Sequence, residues 1–278
     1  MTQLNRVTCI LLLAFLAVTA ARGVASDTTL LLIASSILMF ACCWASATHL
    51  LGARAAANFV AIAVAVGWFA EEMGANFGWF FGDYHYTNVL GPTLGTTPVV
   101  IPLMWFALCY TAYVLANLIV WQTPSDGISP TGKGLVLSLL AALLVTAYDL
   151  GADPYMVFKL QAWIMEKKDG WWFGETLQGF FGWATVSFTI IFLFRLTLRR
   201  WAPAPQRALS KFDMGVPLTV YAGSMVFQMC AGTPVETRTI AFFAMGIPLL
   251  CAVCGLQRWH HAVEQAPQGA DAPVREAA

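Results

Sequence analysis

Eight stretches of the chain stay apolar for about as long as a lipid bilayer is thick, and nothing else in the sequence restricts the fold as strongly. They fall near residues 7–21, 28–51, 55–72, 98–121, 133–152, 175–198, 213–231 and 237–256. Most are about 18–24 residues long, and a helix rising ~1.5 Å per residue then crosses a hydrocarbon core of roughly 30 Å. Lipid offers no partner to backbone N–H and C=O groups, so a span is either helical or part of a closed barrel, and the alternating pattern of barrel strands is absent. With 59% hydrophobic and only 11% charged residues, and a mean hydropathy of +0.68, the chain lies outside the range of soluble domains. The expected fold class is all-α: a polytopic membrane helical bundle with seven or eight transmembrane helices. It forms one domain over residues 1–260, followed by a polar, small-residue tail over 261–278 that reads as disordered.

The first run leaves the number of spans open. Arg6, the short core TCILLLAFLAVTA and the small residues after it make residues 1–25 either a first helix or a signal peptide. Either way the later loops keep their sides. Placing the N-terminus in the cytoplasm puts ten of the fifteen Lys and Arg residues inside, including the cluster Arg195, Arg199, Arg200, Arg207 and Lys211. The loops after the third and fifth runs then both face away from the cytoplasm. The expected location is a multi-pass position in a bacterial inner (plasma) membrane, in contact with membrane lipid.

Several chemistries are excluded or disfavoured by what is missing. A net charge of zero without a basic tail leaves no footprint for nucleic acid. All seven cysteines sit in apolar runs, where small buried side chains are the ordinary explanation, and Cys251-x-x-Cys254 lies mid-helix without further ligands. Four histidines are too few for the H-x-x-H clusters of membrane di-iron oxygenases. Neither of the last two runs carries the lysine that a retinal Schiff base requires. Asp149 and Asp153 make a single D-x-x-x-D, whereas an intramembrane prenyltransferase holding a Mg²⁺-diphosphate uses two aspartate-rich motifs. No metal and no cofactor is expected.

Carboxylates beside hydrocarbon are costly, and they mark function by default. Glu71 and Glu72 close the third run, Asp149 and Asp153 close the fifth, and Glu166, Asp169 and Glu175 follow in the next connection. Adjacent helical residues point about 100° apart, so at most one of Glu71 and Glu72 faces the bundle. Asp149 and Asp153 are four apart and share a face, but Asp153 before Pro154 also reads as the N-cap of a further helix, PYMVFKLQAWIMEKK, lying in the membrane interface. Aromatic residues crowd these acids: Trp68, Trp79, Phe80, Phe81, Tyr84, Tyr86 and Trp105, then Trp163, Trp171, Trp172, Phe173 and Trp183. They suit an interfacial belt, or a groove for a long apolar ligand whose rings stabilise a transient cation.

Two blocks carry a family resemblance. The pattern E-x-x-G-x-x-x-G-x-x-F-G-x-Y-x-Y-T-x-x-L-G-P-x-L starting at Glu71, followed by Pro98, Ile101, Pro102 and Trp105, resembles the first signature of the CruF-type carotenoid biosynthesis proteins. These are the membrane carotenoid 1,2-hydratases that include bisanhydrobacterioruberin hydratase. The second block, Asp149-Leu150-x-x-Asp153-Pro154, Trp163, Gly170-x-Trp172-Phe173-Gly174 and Gly182-Trp183, resembles the family pattern D-L-x-x-D-P, W and G-x-Y-F-G-x-P-x-x-N-x-x-G-W. It departs from it at Trp172, Thr176 and Gly179, where the pattern has Tyr, Pro and Asn. The last change removes a polar side chain from the expected site.

The resemblance implies addition of water across the terminal C1–C2 double bond of an acyclic carotenoid, giving a tertiary alcohol, with a carotenoid or other long isoprenoid as substrate and other enzymes of that pathway as neighbours. Protonating C2 creates a tertiary cation at C1, which calls for an acid that keeps its proton in an apolar site, an aromatic wall and a base for water. Glu71 or Asp149 is expected as the acid, with the other or Asp153 orienting water. Tyr84, Tyr86, Trp105, Trp163, Trp172 and Phe173 are expected to line the substrate. The same inventory also suits an isoprenoid cyclase, isomerase or prenyltransferase, or a membrane protein that only binds carotenoid or lipid.

Overall fold

A computed structural model describes residues 3–25, 28–123, 130–167, 169–198 and 211–264, except the side chains of 211, 263 and 264. Eight helices, each long and apolar enough to cross a membrane, dominate it. They are α1 (Gln3–Val24), α2 (Thr29–Leu51), α3 (Ala53–Phe77), α4 (Val100–Trp121), α5 (Thr131–Pro154), α6 (Leu177–Leu198), α7 (Lys211–Ala231) and α8 (Glu236–Glu264). The chain is thus a polytopic membrane bundle with eight spans among the described residues. Helix α8 runs four residues past the expected domain boundary at 260, and the rest of the expected disordered tail lies outside the described residues.

Helix α4 is the hub, packed against α2, α3, α5 and α8. Its Phe106, Tyr110 and Tyr113 are fully buried with Phe59 of α3 and Phe194 of α6, and the Phe59 and Phe194 rings are stacked with centroids 4.0 Å apart. Polar pairs link the helices inside the bundle, as a medium without water favours: Ser46 with Tyr110 at 2.8 Å, and Arg195 donating to Asn117 at 2.8 Å. The outward faces carry exposed apolar side chains such as Ile10, Leu30, Val136, Phe181 and Leu250. In water such surface would be a liability; against lipid tails it is matched.

The two longest described connections meet at one end of the bundle. Helix α3 stops at Gly78, whose φ of 67° is left-handed, with its N–H on the Gly74 carbonyl, the bond of an αL cap. The chain then forms β1 (Tyr84–Tyr86), a 3₁₀ turn and the small hairpin β2 (Thr93–Leu94) with β3 (Thr97–Pro98) before α4 begins. On the other side α5 gives way to a π-helical stretch, Tyr155–Leu160, and then β4 (Trp163–Met165). Strands β1 and β4 pair antiparallel with His85 opposite Ile164. That pairing joins the loops after α3 and α5, as the charge-derived topology requires.

The separate interfacial helix expected from Pro154 onward is not present. Helix α5 passes through Pro154 and widens into the π turn, so Asp153 does not start a helix. A proline lacks an N–H and its ring crowds the carbonyl four residues back. Here that carbonyl, on Leu150, accepts the indole N–H of Trp172 at 2.9 Å instead. Extra room in the turn and one borrowed donor let the helix continue where the sequence signals a restart.

Candidate active site

Where the two loops meet, α3, α4, α5, β1, β4 and the start of α6 enclose a largely apolar cavity of about 860 Å³, part of it open to solvent. Four carboxyls line it: Glu71, Asp149, Asp153 and Glu175. No Lys, Arg or His is among the described lining residues.

Glu71 lies inside α3, one and a half turns before its end, and is 7% exposed. The indole N–H of Trp105 donates to its Oε1 at 2.8 Å, and the Tyr84 and Tyr86 hydroxyls donate to its Oε2 at 2.6 Å each. Burial, and then the charge of Glu71, push both phenols well above the usual tyrosine range, so they keep their protons. Trp105 reaches Glu71 because Gly67, one turn earlier on α3, has no side chain; a Cβ there would lie 2.7 Å from the Trp105 Cδ1. Glu72 turns the other way, as a 100° step demands. Its carboxylate accepts from the backbone and side chains of Thr96 and Thr97 at 3.0–3.2 Å, which ties α3 to the β2–β3 hairpin.

Asp149 and Asp153 share the cavity face of α5, as their spacing implies. Asp153 is buried, and its Oδ1 accepts the Trp163 indole N–H at 3.1 Å. Asp149 is only half-buried because its carboxyl faces the cavity, and no described residue hydrogen-bonds it. The aromatic wall is continuous: Trp105 stacks on Phe81 at 6.2 Å, Phe81 meets Tyr84 edge-on, Tyr84 meets Tyr86 at 5.3 Å, and Tyr86 meets Trp163 across the β1–β4 pair at 6.1 Å. A cation formed beside these ring faces is stabilised without a counter-ion.

Of the expected residues, Glu71, Asp149, Asp153, Tyr84, Tyr86, Trp105 and Trp163 are therefore brought together. Trp172 and Phe173 are not in the lining. Trp172 satisfies the Leu150 carbonyl, and Phe173 holds a left-handed φ of 52° in the tight turn that follows. In that turn Gly170 bridges Gly174 and Trp172 bridges Glu175, which aims Glu175 back at the cavity. Sequence reading names Glu175 only as an acid of the connection and gives it no role, and it does not single out Tyr148, which also lines the cavity. The available signal for Glu175 was position: it directly follows the G-x-W-F-G block and directly precedes the start of a span. Glu175 is 3% exposed. Burial raises its carboxyl to about 8, the charge of Asp153 adds to the shift, and the Thr176 N–H on Oε1 at 3.0 Å opposes it.

The comparisons with known proteins agree with this frame. A family model described as "Carotenoid biosynthesis protein" matches residues 27–252, most of the chain. Among curated proteins, bisanhydrobacterioruberin hydratase of Haloarcula japonica is 30% identical over 125 residues, covering 45% of this chain and 39% of that relative. No solved structure matches.

Proposed function

The chain belongs to the carotenoid biosynthesis protein family, and on that premise we propose that it hydrates the terminal C1–C2 double bond of an acyclic carotenoid. The observation that carries the proposal is Asp149, a carboxyl without a hydrogen-bond partner among the described residues that lines an apolar, aromatic-walled cavity. An alkene is a weak base, so its protonation needs an acid beside it with little competing water. Asp149 gives its proton to C2, and the tertiary cation at C1 is stabilised by the faces of Tyr86, Trp163 and Trp105. A water attacks C1, and Asp153 takes the proton that water releases. One turn of α5 separates the two aspartates, so the proton returns from Asp153 to Asp149 and the acid is restored.

Glu71 has a different task. Both of its oxygens are engaged by Trp105, Tyr84 and Tyr86, so it serves as the anchor that orients the aromatic wall, and its negative end favours a cation nearby. The chemistry consumes only water and calls on no redox partner.

The test is mass spectrometry of carotenoids from an acyclic-carotenoid-producing strain with and without this protein. Hydration adds about 18 mass units, one water moved by acid–base chemistry, and Asp149→Asn lowers product formation by about 100-fold or more. A product of unchanged mass and altered retention would assign the site to a cyclase or isomerase instead. Pigment bound but chemically unaltered would assign it to a carrier.

A further inference from the structure

Gly179 looks like a deficit, since the family pattern that the second block resembles has Asn at that place. The geometry reverses this. A Cβ built on Gly179 would overlap the Oε1 of Glu175 and come 2.5 Å from its Cδ. The carboxyl of Glu175 fills the volume in which any side chain at 179 would begin. Oε1 is held by the Thr176 N–H at 3.0 Å, whereas Oε2 has no hydrogen-bond partner among the described residues and belongs to the cavity wall that Asp149 and Asp153 share.

We propose that Glu175 is a further catalytic residue of the hydration, acting in its protonated form as the hydrogen-bond donor that positions the attacking water, and that Gly179 is the residue that admits it. The inference rests on the hydration reading above. A water poised to attack C1 is fixed by two contacts: it donates to the Asp153 carboxylate, which will take its proton, and it accepts from the Oε2–H of Glu175. No proton of Glu175 is transferred, so the balance of the reaction is unchanged. A neutral carboxylic acid presents one acceptor and one donor on the same planar carbon, as a primary amide does. Glu175 thus supplies from position 175 the donor that an amide would supply from 179.

The titratable groups facing Glu175 around the cavity are Glu71 of α3, Tyr84 and Tyr86 of β1, and Tyr148, Asp149 and Asp153 of α5. Helix α6 brings none to the lining. With carboxyls and phenols around it, and a carboxyl raised to about 8, Glu175 is protonated at neutral pH. It loses its donor as the pH climbs past that value, so turnover falls on the alkaline side.

Four variants in membranes, assayed for hydrated product across pH 6–10 (roughly the range that brackets a carboxyl raised by burial), test the idea. Glu175→Gln keeps both the acceptor and the donor; it should stay within about threefold of wild type and lose the alkaline fall near pH 8. Glu175→Ala should lose about 100-fold in turnover with little change in KM, the scale of a misplaced reactant. Gly179→Ala, which adds no functional group, should lose nearly as much by displacing the carboxyl, and Glu175→Ala with Gly179→Asn should recover part of the loss. Wild-type turnover in Glu175→Ala, or an alkaline limb unchanged in Glu175→Gln, would overturn the role. If wild-type protein makes no hydrated product, the hydration reading fails first; if it does and Glu175→Ala does too, only this inference fails.

Discussion

At the scale of single residues, the site shows how one helical step divides labour between neighbours. Glu71 faces the cavity and holds its aromatic wall, while Glu72 faces the hairpin and ties it to α3. Replacing Glu72 with Ala removes the acceptor for Thr96 and Thr97; the exposed Thr96 regains water, but Thr97 is fully buried and its N–H and hydroxyl lose their acceptor. The expected cost is about 1–3 kcal/mol, read as a lower unfolding temperature in detergent, with turnover within twofold of wild type; a tenfold loss of turnover would place Glu72 in the chemistry. The sequence alone could say that one of the pair faces inward, because the angle between neighbours is fixed. The outward partner of Glu72 was not legible, since Thr96 and Thr97 lie more than twenty residues away along an irregular loop. Glu175 escaped for a related reason: a tight turn with a left-handed Phe173 decides its direction, and no periodicity runs through such a turn.

At the scale of elements, the aromatic wall depends on a three-residue strand pair. Tyr84 and Tyr86 stand on the cavity face of β1 and Trp163 on that of β4 because alternate residues of a strand share a face. Between them, His85 and Ile164 point outward; the His85–Glu166 contact and the Lys167–Asp83 ion pair are exposed and contribute little. Ile164→Pro removes one ladder hydrogen bond without touching the lining. We expect a fall in turnover of about tenfold or more, because displacements near 1 Å at a reacting centre cost up to about 100-fold, while the protein still inserts and remains helical by circular dichroism. Unchanged turnover would mean that the strand pair does not set the wall. The strands themselves were hidden from sequence reading, which took the polar and apolar mixture of 154–168 for an amphipathic helix. A three-residue strand is too short to show alternation, and a proline that begins a helix looks the same as one whose lost hydrogen bond is replaced by the Trp172 indole.

At the scale of the whole molecule, the spans were legible, all but the first run without ambiguity, because lipid leaves so few solutions for a long apolar stretch. The gathering of the acids at one end was also within reach, through the balance of Lys and Arg across the loops. Their assembly into one cavity was not, because it relies on contacts between loops that share no sequence pattern. The cavity lies among the ends of α3 and α5 and the starts of α4 and α6, while Phe59, Phe106, Tyr113 and Phe194 fill the bundle below it. Under the proposed chemistry such a site would serve a single leaflet. A rigid polyene with two equivalent ends, long enough to cross the bilayer, presents one end at a time to such a protein and must let go and turn over before the other is served. Under the proposed chemistry, a time course with a symmetric acyclic carotenoid should show the singly hydrated product accumulating ahead of the doubly hydrated one; the doubly hydrated product appearing first would require both ends to be held at once. One-sided placement of four carboxyls thus becomes a statement about traffic, in which the slow event between two identical reactions is a molecule reversing itself in the membrane.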